Sequence, residues 1–304
     1  MASLRHQVLA WAIPKMRGSC ELTTLTEERA RVEAWHATLD RTLPTAKIRG
    51  FDRDFSVETE SLAGTDGDFP SYTVTPRGYA PELTLYYLHG GAFMGPIDHF
   101  QMLWVTRLAK ELRARVVVPD YPLTPEHTVH ASHQAVADDA ARWAGDGPTV
   151  LVGDSSGGGY ALAVAETLRD RGGPQATRLL LVSPWVDLST STKEETEALD
   201  AVDRWLFLGK LRAYAEWWAG SAAALTQHEA SPALAPLEGL PPALMFCGTH
   251  DLLVPGCRLL DRRAREAGWD LTYIEAPGLI HVYPLLPGIP EARVAWRQTL
   301  EWLR

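Results

Sequence analysis

Short apolar runs of five or six residues alternate with longer stretches whose apolar positions recur every three or four, and this alternation organises most of the chain. The runs Leu83–Leu88, Arg115–Pro119, Thr149–Val152, Arg178–Val182, Ala243–Cys247 and Leu271–Glu275 predict strands. Each is apolar on both faces, as a parallel strand covered by helices on either side must be. The stretches 99–113, 132–144, 156–171, 256–267 and 290–303 predict amphipathic helices between them. Strand and helix alternating over this length predict an α/β fold with a mostly parallel, doubly wound sheet.

Three regions depart from the alternation. Residues 1–45 read as helical, with Thr26 as an N-cap, Glu27 and Glu28 in the first turn, Val32, Trp35 and Leu39 on one stripe, and Pro44 as the stop. From Phe51 the period changes to two, through Phe51–Val57 and then Tyr72–Val74, which predicts two antiparallel strands around a turn between Gly64 and Pro70. Between Val182 and Ala243 lie about sixty residues, too long for a usual αβ connection. They hold Trp185, Trp205, Phe207, Trp217 and Trp218 and are too apolar for a solvated loop. The expectation is N-terminal cap helices over 1–45, a catalytic domain over 46–304, and a cap insertion at about 186–230 that lies as a lid on one end of the sheet. Trp205, Trp217 and Trp218, at near-helical spacing, are expected to be packing residues before they are pocket walls.

Composition narrows the setting. With 304 residues and a net charge of −9, and without a run of basic residues, the chain is not expected to bind nucleic acid. Cys20, Cys247 and Cys257 are odd in number and far from any CxxC spacing, so no disulfide framework is expected and a cytoplasmic location fits. The apolar stretch Val8–Ile13 is flanked by Arg5, His6, Lys15 and Arg17 with no small-residue cleavage site after it, so it is not expected to be a signal peptide. No apolar run reaches the roughly 18 residues of a membrane span.

Chemistry concentrates at Gly153-Asp154-Ser155-Ser156-Gly157, where an apolar strand ends and a helix begins. This is the strand-turn-helix context of a nucleophile elbow, whose sharp turn needs small residues two positions either side of the serine; Gly158 and Gly159 give further room. The same turn also reads as a helix N-cap or a phosphate cradle, although GxxxxGK[ST] and GxGxxG are absent. A serine hydroxyl needs a base oriented by a carboxylate, in the chain order Ser, acid, His. Downstream of Ser155 the histidines are His228, His250 and His281. His281 follows the last strand in a Pro/Gly loop, and Asp251 stands at the carboxyl end of a strand, where ligand chemistry collects in open parallel sheets. They are the candidate base and acid. The loop His89-Gly90-Gly91-Ala92-Phe93 follows a strand directly; its glycines let peptide nitrogens approach a developing oxyanion, and Ser156 adds another N–H.

Together, His89-Gly-Gly-Ala-Phe, Tyr121-Pro-Leu-Thr-Pro-Glu-His, Gly153-Asp-Ser-Ser-Gly-Gly, Asp251 and His281 resemble the hormone-sensitive-lipase-like family of α/β-hydrolases, bacterial carboxylesterases above all, over about residues 80–300. The resemblance implies an eight-stranded sheet under a helical cap, a Ser155/Asp251/His281 triad, and an oxyanion hole at Gly90, Gly91, Ala92 and Ser156. It implies no metal and no organic cofactor. Ala92 stands where the family has a third glycine, Ser156 where it has alanine, Pro122 where arginine is frequent and His130 where proline is frequent.

The function expected is hydrolysis of short- to medium-chain carboxylic esters through an acyl-enzyme, with a small-molecule ester as partner. A homodimer is compatible with these features. Lactone or amide hydrolysis on the same machinery, and a non-catalytic small-molecule binder on the same fold, stand as alternatives.

Overall fold

The computed structural model describes residues 2–16 and 20–304. Eight strands run in the order β1 (Phe55–Gly64), β2 (Gly67–Pro76), β3 (Leu83–Leu88), β4 (Ala114–Pro119), β5 (Thr149–Asp154), β6 (Arg178–Val182), β7 (Ala243–His250) and β8 (Leu271–Ile280). The helices are α1 (Leu4–Met16), α2 (Leu25–His36), α3 (Phe51–Asp54), α4 (His99–Leu112), α5 (His133–Asp146), α6 (Ser156–Arg171), α7 (Lys193–Glu197), α8 (Leu208–Ala219), α9 (Val254–Ala267) and α10 (Pro290–Leu303).

One sheet holds all eight strands in the order β1-β2-β4-β3-β5-β6-β7-β8. β2 pairs antiparallel with β1 and β4, and the ladders from β4 through β8 are parallel. The period of two decides which face each side chain serves. Tyr86, Leu88, Leu151, Leu179, Leu181 and Met245 pack with α5, α6 and α9, whereas Leu85, Tyr87, Val150, Val152, Leu180 and Phe246 pack with α4 and α10. Both faces are therefore core, which is why the central strands carry no polar alternation. This is the α/β-hydrolase arrangement, and no described helix is long and apolar enough to cross a membrane.

The N-terminal region differs from expectation in two places. Thr24, not Thr26, caps α2: its hydroxyl accepts the Glu27 amide (3.1 Å). The helix then stops at His36, well before Pro44; the His36 ring lies 2.7 Å from Glu126 and from the Met94 carbonyl. Val32 is buried, Trp35 is exposed, and Leu39 lies beyond the helix end, so the expected stripe does not form. Farther on, Phe51 opens a helical turn instead of a strand. One turn sets residues i and i+4 side by side, and Phe51 stacks on Phe55 with centroids 5.1 Å apart.

The segment 183–242 contributes α7, α8 and two short 3-10 turns. Trp218 of α8 is fully buried and stacks on Phe93 with centroids 4.2 Å apart and planes 5° from parallel. Glu28 of α2, itself buried, ties α2 to α8 through Tyr214 and Lys210, with Arg31 of its own helix beside it.

Candidate active site

Ser155 sits between β5 and α6 with φ +54° and ψ −127°, a backbone region that L-residues avoid and that active-site strain tends to occupy. The turn closes so tightly that a Cβ at Gly153 would stand 2.2 Å from the Gly157 carbonyl oxygen, and one at Gly157 would stand 2.1 Å from the Leu88 carbonyl. Only hydrogen fits at either position. The Ser155 amide is held by the Val182 carbonyl (2.9 Å), and its own carbonyl accepts from Trp185 (2.8 Å) and Gly158 (3.0 Å).

The parallel order then brings β7 and β8 to the same end of the sheet. Asp251 follows β7 and His281 follows β8 directly. His281 Nε2 lies 2.9 Å from Ser155 Oγ, and His281 Nδ1 lies 2.9 Å from Asp251 Oδ2. With neutral imidazole, the network assigns the proton to Nδ1, donating to Asp251, and leaves Nε2 to accept from the serine hydroxyl. Asp251 is fully buried, and its second oxygen accepts the Leu253 amide (3.0 Å). His250 and His228, the other downstream histidines, are exposed and stand outside this cluster.

The His281 loop is fixed by Ser183, whose hydroxyl accepts the Val282 amide (3.0 Å). Burial opposes charge on the His281 imidazole, but the neighbouring Asp251 carboxylate, with Asp203 and Asp154 farther off, outweighs it and holds the pKa above the ordinary histidine value. Trp205 meets the ring at 5.6 Å in a T-shaped contact, so this tryptophan reaches the His281 side chain as well as its own segment.

The loop after β3 carries three successive residues at positive φ, Gly91 (+133°), Ala92 (+53°) and Phe93 (+60°). Among the described residues, the amides of Gly91, Ala92 and Ser156 have no hydrogen-bond acceptor, so all three can donate to an oxyanion. Gly90 is a correction to the expected set. Its amide is already committed to Asp154 Oδ1 (3.0 Å), and what the position demands is closeness: a Cβ there would lie 2.5 Å from Asp154 Oδ2 and 2.9 Å from Ser155 Cβ.

Several supporting residues escaped the sequence reading. Asp154, the variable position of the elbow motif, is buried and accepts from Gly90, from the Tyr87 hydroxyl (2.5 Å) and from Gln101 Nε2 (2.9 Å). It thus joins the elbow to the oxyanion loop. The Ser156 hydroxyl accepts the Phe93 amide (3.1 Å), a bond that alanine in its place could not make. The Tyr121 hydroxyl donates to the His89 carbonyl (2.7 Å) while its ring stacks on His89. With proline at 122, this loop is held by Arg41, which donates to Asp120 Oδ1 (2.7 Å) and to the Tyr121 carbonyl (2.8 Å). Among the described residues no cluster of three or more His, Cys, Asp or Glu side chains is arranged to hold a metal ion.

Known proteins share this architecture. A family model described as alpha/beta hydrolase fold matches residues 85–285. An acetyl-hydrolase of Streptomyces hygroscopicus is 34% identical over 230 residues, covering 70% of this chain and 72% of that protein. An esterase of Acinetobacter venetianus is 28% identical over 247 residues, with 79% of each chain covered. The crystal structure of an esterase from the bacterial hormone-sensitive lipase family superposes with a TM-score of 0.79 at 25% identity, covering 100% of this chain and 99% of the other. The chain therefore belongs to the hormone-sensitive-lipase-like family of α/β-hydrolases.

Proposed function

We propose that this protein is a serine carboxylic-ester hydrolase acting on short- to medium-chain acyl esters through an acyl-enzyme. The single observation that carries the reading is the continuous relay from Ser155 Oγ through His281 to Asp251, with both contacts at 2.9 Å. In this reading Ser155 attacks the ester carbonyl while His281 takes its proton. The negative oxygen that forms is received by the amides of Gly91, Ala92 and Ser156. His281 then protonates the departing alkoxide, and the same imidazole activates the water that releases the acid. Asp251 holds the ring in the required tautomer and stabilises its charged form.

The preference for short acyl groups rests on what fills the space beside the oxyanion loop. Phe93, anchored to Ser156 through its amide, is packed between Trp218 and Trp185, and all three side chains are buried. The Ala92 methyl adds bulk at the same loop. The name acetyl-hydrolase carried by the Streptomyces relative agrees with a compact acyl site. We read α1 and α2 together with residues 186–230 as the cap over this end of the sheet, tied across Glu28.

A series of nitrophenyl esters from acetate to a long-chain acyl group, measured on wild type and Ser155→Ala, tests the reading. Specific activity is expected to peak at short or medium length and to fall by a factor of about 10⁴ or more in Ser155→Ala. A maximum at long acyl chains would overturn the substrate class, and wild-type rates in Ser155→Ala would overturn the mechanism.

A further inference from the structure

The cap segment sends one carboxylate into the acid–base pair. Asp203 lies between α7 and α8 and is buried. Its Oδ1 accepts the amides of Trp205 (2.7 Å) and Leu206 (3.0 Å), a local turn of the kind aspartate often makes. Its Oδ2 does something a local turn does not require: it accepts the amide of Leu252 (2.8 Å), 49 residues away and next to Asp251. The same side chain thus holds the backbone on which the triad acid rides and the start of the segment whose Trp205 ring abuts His281.

Two buried carboxylates side by side are costly unless cations or hydrogen bonds compensate. Among the described residues neither Asp203 nor Asp251 forms an ion pair with lysine or arginine; His281 is the group that pairs with Asp251. Burial and the Asp251 charge push the Asp203 pKa up to about 6. The charged groups facing His281 are Asp251 after β7, Asp203 of the cap segment and Asp154 at the end of β5.

We propose that Asp203 is a positioning residue for ester hydrolysis: it docks the cap segment on the acid–base pair, fixes the Asp251 backbone through Leu252 and the Trp205 indole against His281, and supplies a second negative charge beside the imidazole. This inference rests on the reading of Ser155, His281 and Asp251 given above.

The test compares the pH dependence of kcat/KM for a short nitrophenyl ester in wild type, Asp203→Asn and Asp203→Ser. Asn at 203 keeps an oxygen for the Trp205 and Leu206 amides but turns an N–H toward Leu252, and it removes the charge. Ser keeps a hydroxyl that can serve the local turn and removes both the charge and the long-range contact. Removing a negative charge near the imidazole makes protonation harder, so the acid limb is expected to move to lower pH in both variants. With the acid no longer clamped, kcat is expected to fall about tenfold to a hundredfold. KM should change much less. A folded variant whose acid limb stays at the wild-type position would overturn the proposal whatever its kcat, because a merely structural residue predicts that result. If neither variant folds, titrating the His281 ring by NMR in Trp205→Phe, where Asp203 is intact, is expected to show the wild-type pKa; a lowered value there would overturn the charge assignment to Asp203. Ser155→Ala is run alongside. If it retains activity, the reading of the triad fails, whereas an inactive Ser155→Ala with an unmoved acid limb at Asp203 sinks this inference alone.

Discussion

At the scale of single residues, the chemistry depends on which atoms are free and which are spent. Asp251 accepts the Leu253 amide on one oxygen and faces His281 and the Cys247 thiol with the other, so in the proposed relay the acid is aimed before substrate arrives. Replacing it with asparagine leaves the side chain's shape but favours the wrong tautomer of His281, and kcat should fall by about 10⁴. Rapid-quench or steady-state rates on a short ester check this; a loss below tenfold would remove Asp251 from the relay. The raised pKa of His281 sets the pH response. The base must be neutral to work, so kcat/KM is lost as pH falls through the His281 pKa, with a midpoint above the ordinary value of about 6.5. A pH–rate profile with its acid limb well below that value would contradict the assigned environment.

At the scale of elements, the strands and the motifs at their ends were legible because a doubly covered parallel strand leaves a continuous apolar run, and four of the six runs end just before a candidate site residue: Leu88 before the Gly91 loop, Val152 before Ser155, Cys247 before Asp251, Glu275 before the His281 loop. What was not legible depended on where a polar group ends up. Thr26 reads as a cap, yet it is the Thr24 hydroxyl that accepts the Glu27 amide and donates to the Glu27 carboxylate, whereas Thr26 has Arg29 three positions on. The Gly90 amide could be called a donor to substrate only until its bond to Asp154 was seen. Asp203 carries no periodic signal, and its partner at Leu252 is remote in sequence. The cap helix offers its own test. Trp218 is wholly enclosed against Phe93, Tyr121 and Tyr160, so Trp218→Ala should cost about 3–5 kcal/mol. Urea midpoints measure it, and a change below about 1 kcal/mol would mean that the aromatic stack contributes little.

At the scale of the whole molecule, the fold gathers residues from distant parts of the chain at one end of a sheet whose central strands are buried on both faces. Ser155, Asp251 and His281 follow β5, β7 and β8, and the loop of Gly91 and Ala92 follows β3. Because these strands are parallel to one another, their carboxyl ends coincide, which is the general reason open α/β sheets do chemistry there. The segment between β6 and β7 meets the same end, placing Trp205 against His281 and Trp218 against Phe93.

The most direct test of the central claim is covalent labelling of the intact protein by an alkyl phosphonate, read by mass spectrometry with peptide mapping. One adduct per chain is expected, located on Ser155, forming in step with the loss of ester hydrolysis and absent from Ser155→Ala. Full activity in a protein labelled at Ser155, or inactivation by an adduct at any other residue, would contradict the account.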